Sequence, residues 1–299
     1  KNSLSTNIAA WGADCTLEGN YSTTSALIDS IVRGSLGYPL LSLWAAGNER
    51  GNGRCGTGYS TIAPPATSKN AITVGATDPN DVMSVFSGWG PTDDGRLVPV
   101  VMAPGVNVVS SVGSSTDGSQ GYATLSGTSQ ATPAVSGISA LIHDQRKRLN
   151  PSATRLRPAT VKAILAQTAL DLGNRGPDFQ FGYGRVNVQA AIDLVRADGF
   201  YEDQITVNGQ VWEYGIDVPT GQPVLKVTLA WDDYPGSNLA AKELVNDLDI
   251  ELVDPNGIIY RPWLLDPLNP STAATTGFDR TNNIEQVFVT SPVSGRWKA

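Results

Sequence analysis

The stretch of residues 125–133, Leu-Ser-Gly-Thr-Ser-Gln-Ala-Thr-Pro, constrains this chain most, because it joins a strand-like run to an apolar helical run. Small residues at the junction allow a sharp turn, and the helix begins with unpaired N–H groups that favour negative charge. A serine hydroxyl there is placed for nucleophilic attack, since the oxyanion it generates meets N–H donors. The alternative is that Thr128 or Ser129 only caps a buried helix.

A second stretch favours catalysis. Residues 40–49 are predicted to form a buried strand that ends in small residues and Asn48. Together the two stretches resemble the subtilase family of serine peptidases. The nucleophile signature Gly-Thr-Ser-x-Ala-x-Pro is met by residues 127–133, and the oxyanion signature Ala-Ala-Gly-Asn by residues 45–48. Residues 69–76 and 102–105 also resemble family segments, in the expected order.

The resemblance implies roles for individual residues. Ser129 is expected to be the nucleophile, and Asn48 to donate its side-chain amide to the tetrahedral intermediate together with the Ser129 backbone N–H. The residues implied in substrate binding are Ala10, Trp11, Gly12, Gly47 and Thr128. Ala10 stands where the family often has a serine, and Trp11 is equally compatible with a core position.

The general base is missing from its expected place. In this family the triad follows the order Asp, His, Ser, yet no Asp-Ser/Thr-Gly or His-Gly-Thr motif precedes Ser129. The single histidine, His143, lies beyond the serine on the same predicted helix, roughly 20 Å away at 1.5 Å per residue. We therefore expect the Asp and His on an N-terminal segment outside this chain, and the chain alone to be nearly inactive. The competing interpretation is a non-catalytic pseudoenzyme or binding protein that uses its C-terminal domain.

The pattern of apolar residues divides the chain near residue 200. Residues 1–200 alternate strands and helices, which predicts a mainly parallel sheet with helices on both faces, subtilisin-like and N-terminally incomplete. Residues 201–299 show period-two strands, for example around Leu225 and Leu252, and a strong turn signal at Asp254. We predict an antiparallel β-sandwich there, resembling the jelly-roll domain of some alkaline subtilases. Both ends of the chain are expected to be truncated.

Net charge and cysteine content limit the classes of binding partner and the cellular compartments that fit this protein. The net charge of −7 disfavours nucleic acid, and no apolar run approaches the ~18 residues of a membrane span. The resemblance implies a secreted or periplasmic enzyme with a protein or peptide substrate, and possibly its own N-terminal fragment as partner. In such a compartment Cys15 and Cys55 could form a disulfide, although two free thiols remain an open alternative.

Calcium is the one cofactor that the sequence suggests. Asp247 and Asp249 lie on one face of a predicted strand, and the resemblance brings Asp279 and Asn282 close to it. Carboxylate and amide oxygens suit a hard cation, but a solvated acidic face fits the same residues. Asp232 and Asp266 are weaker candidates. Two tryptophans of this domain, Trp231 and Trp263, could stack on sugars or belong to the core.

Overall fold

The computed structural model describes residues 15–53, 55–56, 58–113, 120–238 and 240–299. The predicted pocket residues Ala10, Trp11 and Gly12 lie outside these ranges. Within the described residues, no helix is both long and apolar enough to cross a membrane.

A parallel three-stranded sheet forms the centre of the N-terminal part. Its strands, in the order β1-β2-β3, are β1 (Leu43–Ala45), β2 (Ile72–Thr77) and β3 (Val101–Pro104). Every residue of β2 is buried, as expected for the central strand of a sheet covered on both faces. The far edge of β3 is bridged by Met102 to Arg185. The predicted parallel α/β architecture is therefore present.

In the described part of the chain, four α-helices lie around this sheet. They are α1 (Thr23–Val32), α2 (Thr128–Leu149), α3 (Pro158–Thr168) and α4 (Val188–Arg196). Helix α2 packs on all three strands and on α4 through Ala131, Val135 and Ile142, which are fully buried. Pro158 begins α3, where its fixed φ suits a first helical turn.

The inward face of α1 differs from the prediction. The apolar pattern favours Ala26, Leu27, Ile31 and Val32 as the buried face, yet Leu27 is 57% exposed. Asp29 is fully buried instead, and its carboxylate accepts hydrogen bonds from the Tyr21 hydroxyl at 2.6 Å and from the backbone of residues 69 and 70. A tertiary polar network thus outweighs the local apolar periodicity.

The C-terminal part is built from antiparallel strands. They are β6 (Gly215–Val218), β7 (Val224–Ala230), β8 (Leu252–Val253), β9 (Ile259–Tyr260), β10 (Trp263–Leu264), β11 (Thr275–Thr276), β12 (Ile284–Thr290) and β13 (Gly295–Lys298). One sheet has the order β6-β13-β8-β9, β12 pairs with β7, and β10 pairs with β11. A shared core includes Leu225, Leu252 and Trp297. The predicted turn at Asp254 joins β8 to β9.

A buried polar interface connects the two parts. The Lys69 ammonium, at the start of β2, contacts the Asp233 carboxylate at 2.6 Å, with neither side chain exposed to solvent. Asn70 donates to the Asp233 carbonyl oxygen at 2.7 Å and accepts from the Asp233 N–H at 2.8 Å. Helix α3 also packs directly against β7. These contacts consequently hold the C-terminal strands against the parallel sheet, beside the residues that precede β2.

Candidate active site

Ser129 is the second residue of α2 and is exposed to solvent. Strand β5 (Gln120–Leu125) leads into the turn before it, as predicted, and pairs with β4 (Val108–Gly113). The Gly127 N–H donates to the Gly105 carbonyl at 2.8 Å, which holds the turn against the loop that follows β3. Gly127 occupies the N-cap position, so the cap residue itself has no side chain to bond the first N–H groups of the helix. The structure therefore does not support a simple capping role for Thr128 or Ser129.

Two hydrogen bonds from Thr128 to its oxygen orient the side-chain amide of Asn48. Its Oδ1 accepts from the Thr128 N–H at 2.8 Å and from the Thr128 hydroxyl at 3.0 Å. Because both bonds go to the oxygen, the Nδ2 amino group is the donor left over, and in the described part of the chain it has no acceptor. A Cβ built on Gly127 would lie 3.4 Å from Nδ2, so this donor borders the turn that carries Ser129.

Thr128 couples the two signature segments. Its hydroxyl accepts from the Gly47 N–H at 3.2 Å while it donates to Asn48. The residue is fully buried, which shields these bonds from water. Thr128 thus fixes the rotamer of Asn48 from the first turn of α2.

Two glutamates near Asn48 were not predicted from the sequence. The Glu49 carboxylate accepts from the Asn48 N–H at 2.7 Å. A Cβ at Gly47, whose φ is +97°, would fall 2.7 Å from the same carboxylate, so this position requires glycine. Partial burial, together with the charge of Glu49, raises the pKa of Glu18 to about 7. The position of Glu49 directly after Asn48 is the one feature of the sequence that could have indicated this contact.

A disulfide lies beside this loop. Cys15 and Cys55 are bonded, with Cα atoms 5.2 Å apart. The first cysteine begins a short 3-10 helix, Cys15–Leu17, and the second follows another, Glu49–Asn52. The open question of pairing is thereby decided in favour of a disulfide, which ties down the segment that follows Asn48.

No general base stands beside Ser129 in the described residues. His143 lies 14 residues further along α2, about 21 Å away at the helical rise. It is half-buried, and burial, followed by the charge of Arg155, lowers its pKa. An exposed serine hydroxyl and an oriented amide donor therefore lie near each other, and the described residues place no base beside the hydroxyl.

Comparison with known families agrees with this geometry. The model of the subtilase family (Peptidase_S8) matches residues 6–184, which is more than half of the chain. The chain belongs to the subtilase family.

Named relatives are bacterial proteases. The subtilase chain is 36% identical to M-protease of Shouchella clausii over 167 residues, which is 56% of this chain and 36% of that protein. It is also 36% identical to Subtilisin BL of Lederbergia lenta over 167 residues, 56% of this chain and 51% of the relative. Identity to Serine protease AprX of Bacillus subtilis is 38% over 157 residues, 47% of this chain and 34% of the relative. The chain thus spans about a third to a half of the length of these relatives.

The residues predicted to bind calcium have other partners in this subtilase. The Arg280 guanidinium contacts the Asp249 carboxylate at 2.7 Å and the Asp247 carboxylate at 3.4 Å. The Asp279 carboxylate accepts from the N–H groups of Thr281 and Asn282 and from the Asn282 side chain. The described residues contain no cluster of three or more His, Cys, Asp or Glu side chains that could hold a metal ion. A calcium ion at Asp247 and Asp249 would have to displace the Arg280 guanidinium.

The two candidate sugar-stacking tryptophans pack within the protein. Trp231 is buried and donates its indole N–H to the Asn246 carbonyl at 3.0 Å. Trp263 is half-buried, with its ring 6.0 Å from that of Phe288. Their contacts favour the core alternative.

Proposed function

We propose that this subtilase chain carries the nucleophile half of a serine endopeptidase that hydrolyses peptide bonds through an acyl-enzyme at Ser129. The observation that carries the proposal is the Asn48 amide, whose oxygen is held by Thr128 so that Nδ2 remains free beside the Ser129 turn. A fixed donor of this kind is what a developing oxyanion requires.

The proposed reaction follows from that arrangement. The Ser129 hydroxyl attacks the scissile carbonyl carbon, and the oxyanion is held by Asn48 Nδ2 and the Ser129 backbone N–H. A histidine on another segment takes the hydroxyl proton and passes it to the leaving amine as the C–N bond breaks. Water, deprotonated by the same imidazole, then releases the acyl group from Ser129. Without that histidine, the oxyanion site alone leaves a residual effect of roughly 10³–10⁴ over water.

The remaining parts of the proposal concern substrate and setting. The substrate is a protein or peptide, bound along Gly47 and along residues 10–12. Thr128 was expected to contact substrate as well, but it is fully buried and acts by holding Asn48. Residues 1–200 form the catalytic part, and residues 201–299 a β-domain of jelly-roll type. The Cys15–Cys55 disulfide supports a secreted or periplasmic location, because such bonds persist in oxidising compartments. No step of the reaction uses calcium.

The experiment is fluorophosphonate labelling followed by intact mass spectrometry under denaturing conditions. The part of Subtilisin BL that precedes its matched region is fused ahead of this chain to supply the histidine and aspartate. We expect one label per fusion protein, located at Ser129, and essentially none on the 299-residue chain alone. A folded fusion that stays unlabelled would contradict the proposal and favour a binding role.

Two variants of the fusion give the controls. Ser129→Ala removes the label completely, whereas Ser152→Ala, at an exposed position after the end of α2, retains it. Asn48→Ala keeps the nucleophile but lowers kcat by about 10²–10³, the size known from subtilisin itself for losing one oxyanion donor. An Asn48→Ala fusion with undiminished kcat would remove the oxyanion assignment.

A further inference from the structure

Arg50 is a buried arginine two residues beyond Asn48. Only 9% of the residue is exposed, and burial lowers the pKa of its guanidinium, as expected for a charge withdrawn from water. Arg50 belongs to the short helix Glu49–Asn52, whose N-cap residue is Asn48. The backbone of Asn48 is therefore part of the same turn that carries Arg50.

The Arg50 side chain reaches across to a second segment, residues 84–89. Its Nε donates to the Ser87 carbonyl oxygen at 2.6 Å, and its Nη2 donates to the Ser84 carbonyl oxygen at 2.7 Å. The guanidinium also lies over the Trp89 ring, with 3.9 Å between Cζ and the ring centroid. A planar group that makes these hydrogen bonds and stacks on an aromatic ring holds one geometry, which the ammonium of a lysine does not reproduce.

The backbones of the two segments also approach each other closely. The Gly88 N–H donates to the Gly47 carbonyl oxygen at 3.1 Å. A Cβ built on Gly51 would lie only 2.9 Å from the Phe86 Cα, so a larger residue does not fit there without a shift of the backbone. The turn that follows Asn48 thus packs directly on the second segment.

Residues 84–89 are in turn fixed to the central sheet. Ala76 of β2 accepts from the Ser84 N–H at 3.1 Å, and its own N–H donates to Ser87 Oγ at 3.0 Å. Every residue of β2 is buried. The two carbonyl oxygens that Arg50 contacts therefore belong to residues that are anchored on the core of the protein.

We infer that Arg50 is a positioning residue for the oxyanion donor, an inference that rests on the proposed function. Thr128 holds the side-chain oxygen of Asn48, and Arg50 holds the backbone turn that begins at Asn48. With both ends of the residue fixed, Nδ2 is kept in one place before the reaction starts. A donor that is already in position stabilises a developing oxyanion without the cost of being ordered during the reaction.

The first test measures peptide hydrolysis by the Subtilisin BL fusion. Arg50→Met should lower kcat about 10- to 100-fold and leave KM within about twofold, because a misplaced oxyanion donor weakens binding of the transition state and not of the substrate. In the Asn48→Ala background the same substitution should change kcat little further, since Arg50 acts through Asn48. Arg261→Met removes an arginine that lies over the Phe278 ring in the C-terminal part, and this matched control should keep the kcat of the parent.

The second test does not depend on the chemistry. Hydrogen exchange of the 299-residue chain alone follows the Thr128 N–H, which donates to Asn48 Oδ1. We expect Arg50→Met to speed exchange of this N–H at least about tenfold, by local opening, and to leave the amides of β7 unchanged. Arg50→Lys keeps the charge without the planar fork and should change the exchange rate in the same direction by less, which provides a milder variant if the methionine variant does not fold.

The outcomes separate this inference from the proposed function. Faster exchange at Thr128 in the Arg50 variants, together with a parent fusion that hydrolyses no peptide, upholds the positioning role and rejects the chemistry. An unchanged exchange rate at Thr128 overturns the inference, and so does a loss of kcat that is as large in the Asn48→Ala background as in the parent. Equal acceleration at Thr128 and in β7 also overturns it, because Arg50 would then contribute only to global stability.

Discussion

Around Ser129 the chain leaves polar groups exposed, whereas around Lys69 it buries them completely. The Ser129 hydroxyl faces solvent and Asn48 Nδ2 has no acceptor among the described residues. The Lys69 ammonium uses its three donors on the Asp233 carboxylate, the Tyr234 carbonyl and the Glu243 carbonyl, at 2.5–2.6 Å. Buried polar groups whose hydrogen bonds are all made hold the two parts of the molecule together. The exposed Ser129 hydroxyl and the unpaired Asn48 amide donor remain accessible to a ligand.

The Lys69 interface and the surroundings of Ser129 also differ in which residues cover them. The Lys69 interface is closed by the chain's own C-terminal part, since the Lys69 ammonium contacts Asp233. Lys162 of α3 reinforces it by donating to the Lys69 carbonyl at 2.7 Å and to Asn283 Oδ1 at 3.2 Å. The region around Ser129 leaves the outer face of α2 exposed, for example at Pro133 and Leu141. Substitutions should therefore act on stability in the first region and on reactivity in the second.

The largest effect is expected from Lys69→Met. It leaves the Asp233 carboxylate buried without its cation, which should lower the free energy of unfolding by about 3–5 kcal/mol. Urea unfolding followed by circular dichroism measures it. Lys298→Met, which removes an exposed pair with Glu213, is the control and should cost less than about 1 kcal/mol. Similar losses of unfolding free energy in Lys69→Met and Lys298→Met would show that the buried ion pair contributes no more to stability than the exposed one.

The next effect is a pH dependence from Lys162. Complete burial is the main cause that lowers the pKa of this lysine to about 8, from an ordinary value of 10.5. Between these values the unfolded chain binds a proton that the folded chain does not, so stability rises with pH. The stability gained from deprotonation of Lys162 is fully present above its ordinary pKa and is lost as pH falls through about 8.

Unfolding free energies at pH 7, 9 and 10.5 test this expectation. Relative to Lys162→Met, the parent should gain up to about 3 kcal/mol from the lowest to the highest pH. Lys147→Met, at an exposed position near the end of α2, should track the parent throughout. Parallel curves for the parent and Lys162→Met would mean that the lysine keeps its ordinary pKa.

The smallest effect, and the sharpest test of the nucleophile region, is Thr128→Val. The valine keeps the shape but removes the hydroxyl that links Gly47 to Asn48. Fluorophosphonate labelling of the Subtilisin BL fusion should slow about tenfold, equivalent to about 1.4 kcal/mol, as Asn48 loses one of its two anchors. Thr132→Val, whose hydroxyl bonds only within α2, should leave the rate unchanged. An equal effect of both variants would indicate a general loss of helix stability instead.

Several features of the fold could be predicted because they depend on neighbouring residues. The turn before α2 follows from a run of small residues, and strand β7 from the alternation of Leu225 with polar neighbours. The start of α3 follows from Pro158. Such patterns act over a few residues, so a single sequence displays them fully.

Other features depend on segments far apart in the chain, and no local pattern reveals them. Lys69 and Asp233 both belong to recognisable segments, yet 164 positions separate them and nothing in either predicts their contact. Asp247 and Asp249 were predicted to lie on one face of a strand, but the strand there covers only Leu252–Val253. Both aspartates contact Arg280 where calcium was predicted.

The sequence by itself determined the family, the turn that precedes Ser129 and the alternation of strands and helices, and it predicts the roles of Ser129 and Asn48. Only the tertiary structure decided that Thr128 orients Asn48, that Cys15 pairs with Cys55, and that Asp29 turns inward on α1. The physical reason is the range of the interactions. Backbone turns and amphipathic periods are set by adjacent residues, whereas a buried polar group is stable only where distant segments bring its hydrogen-bond partner.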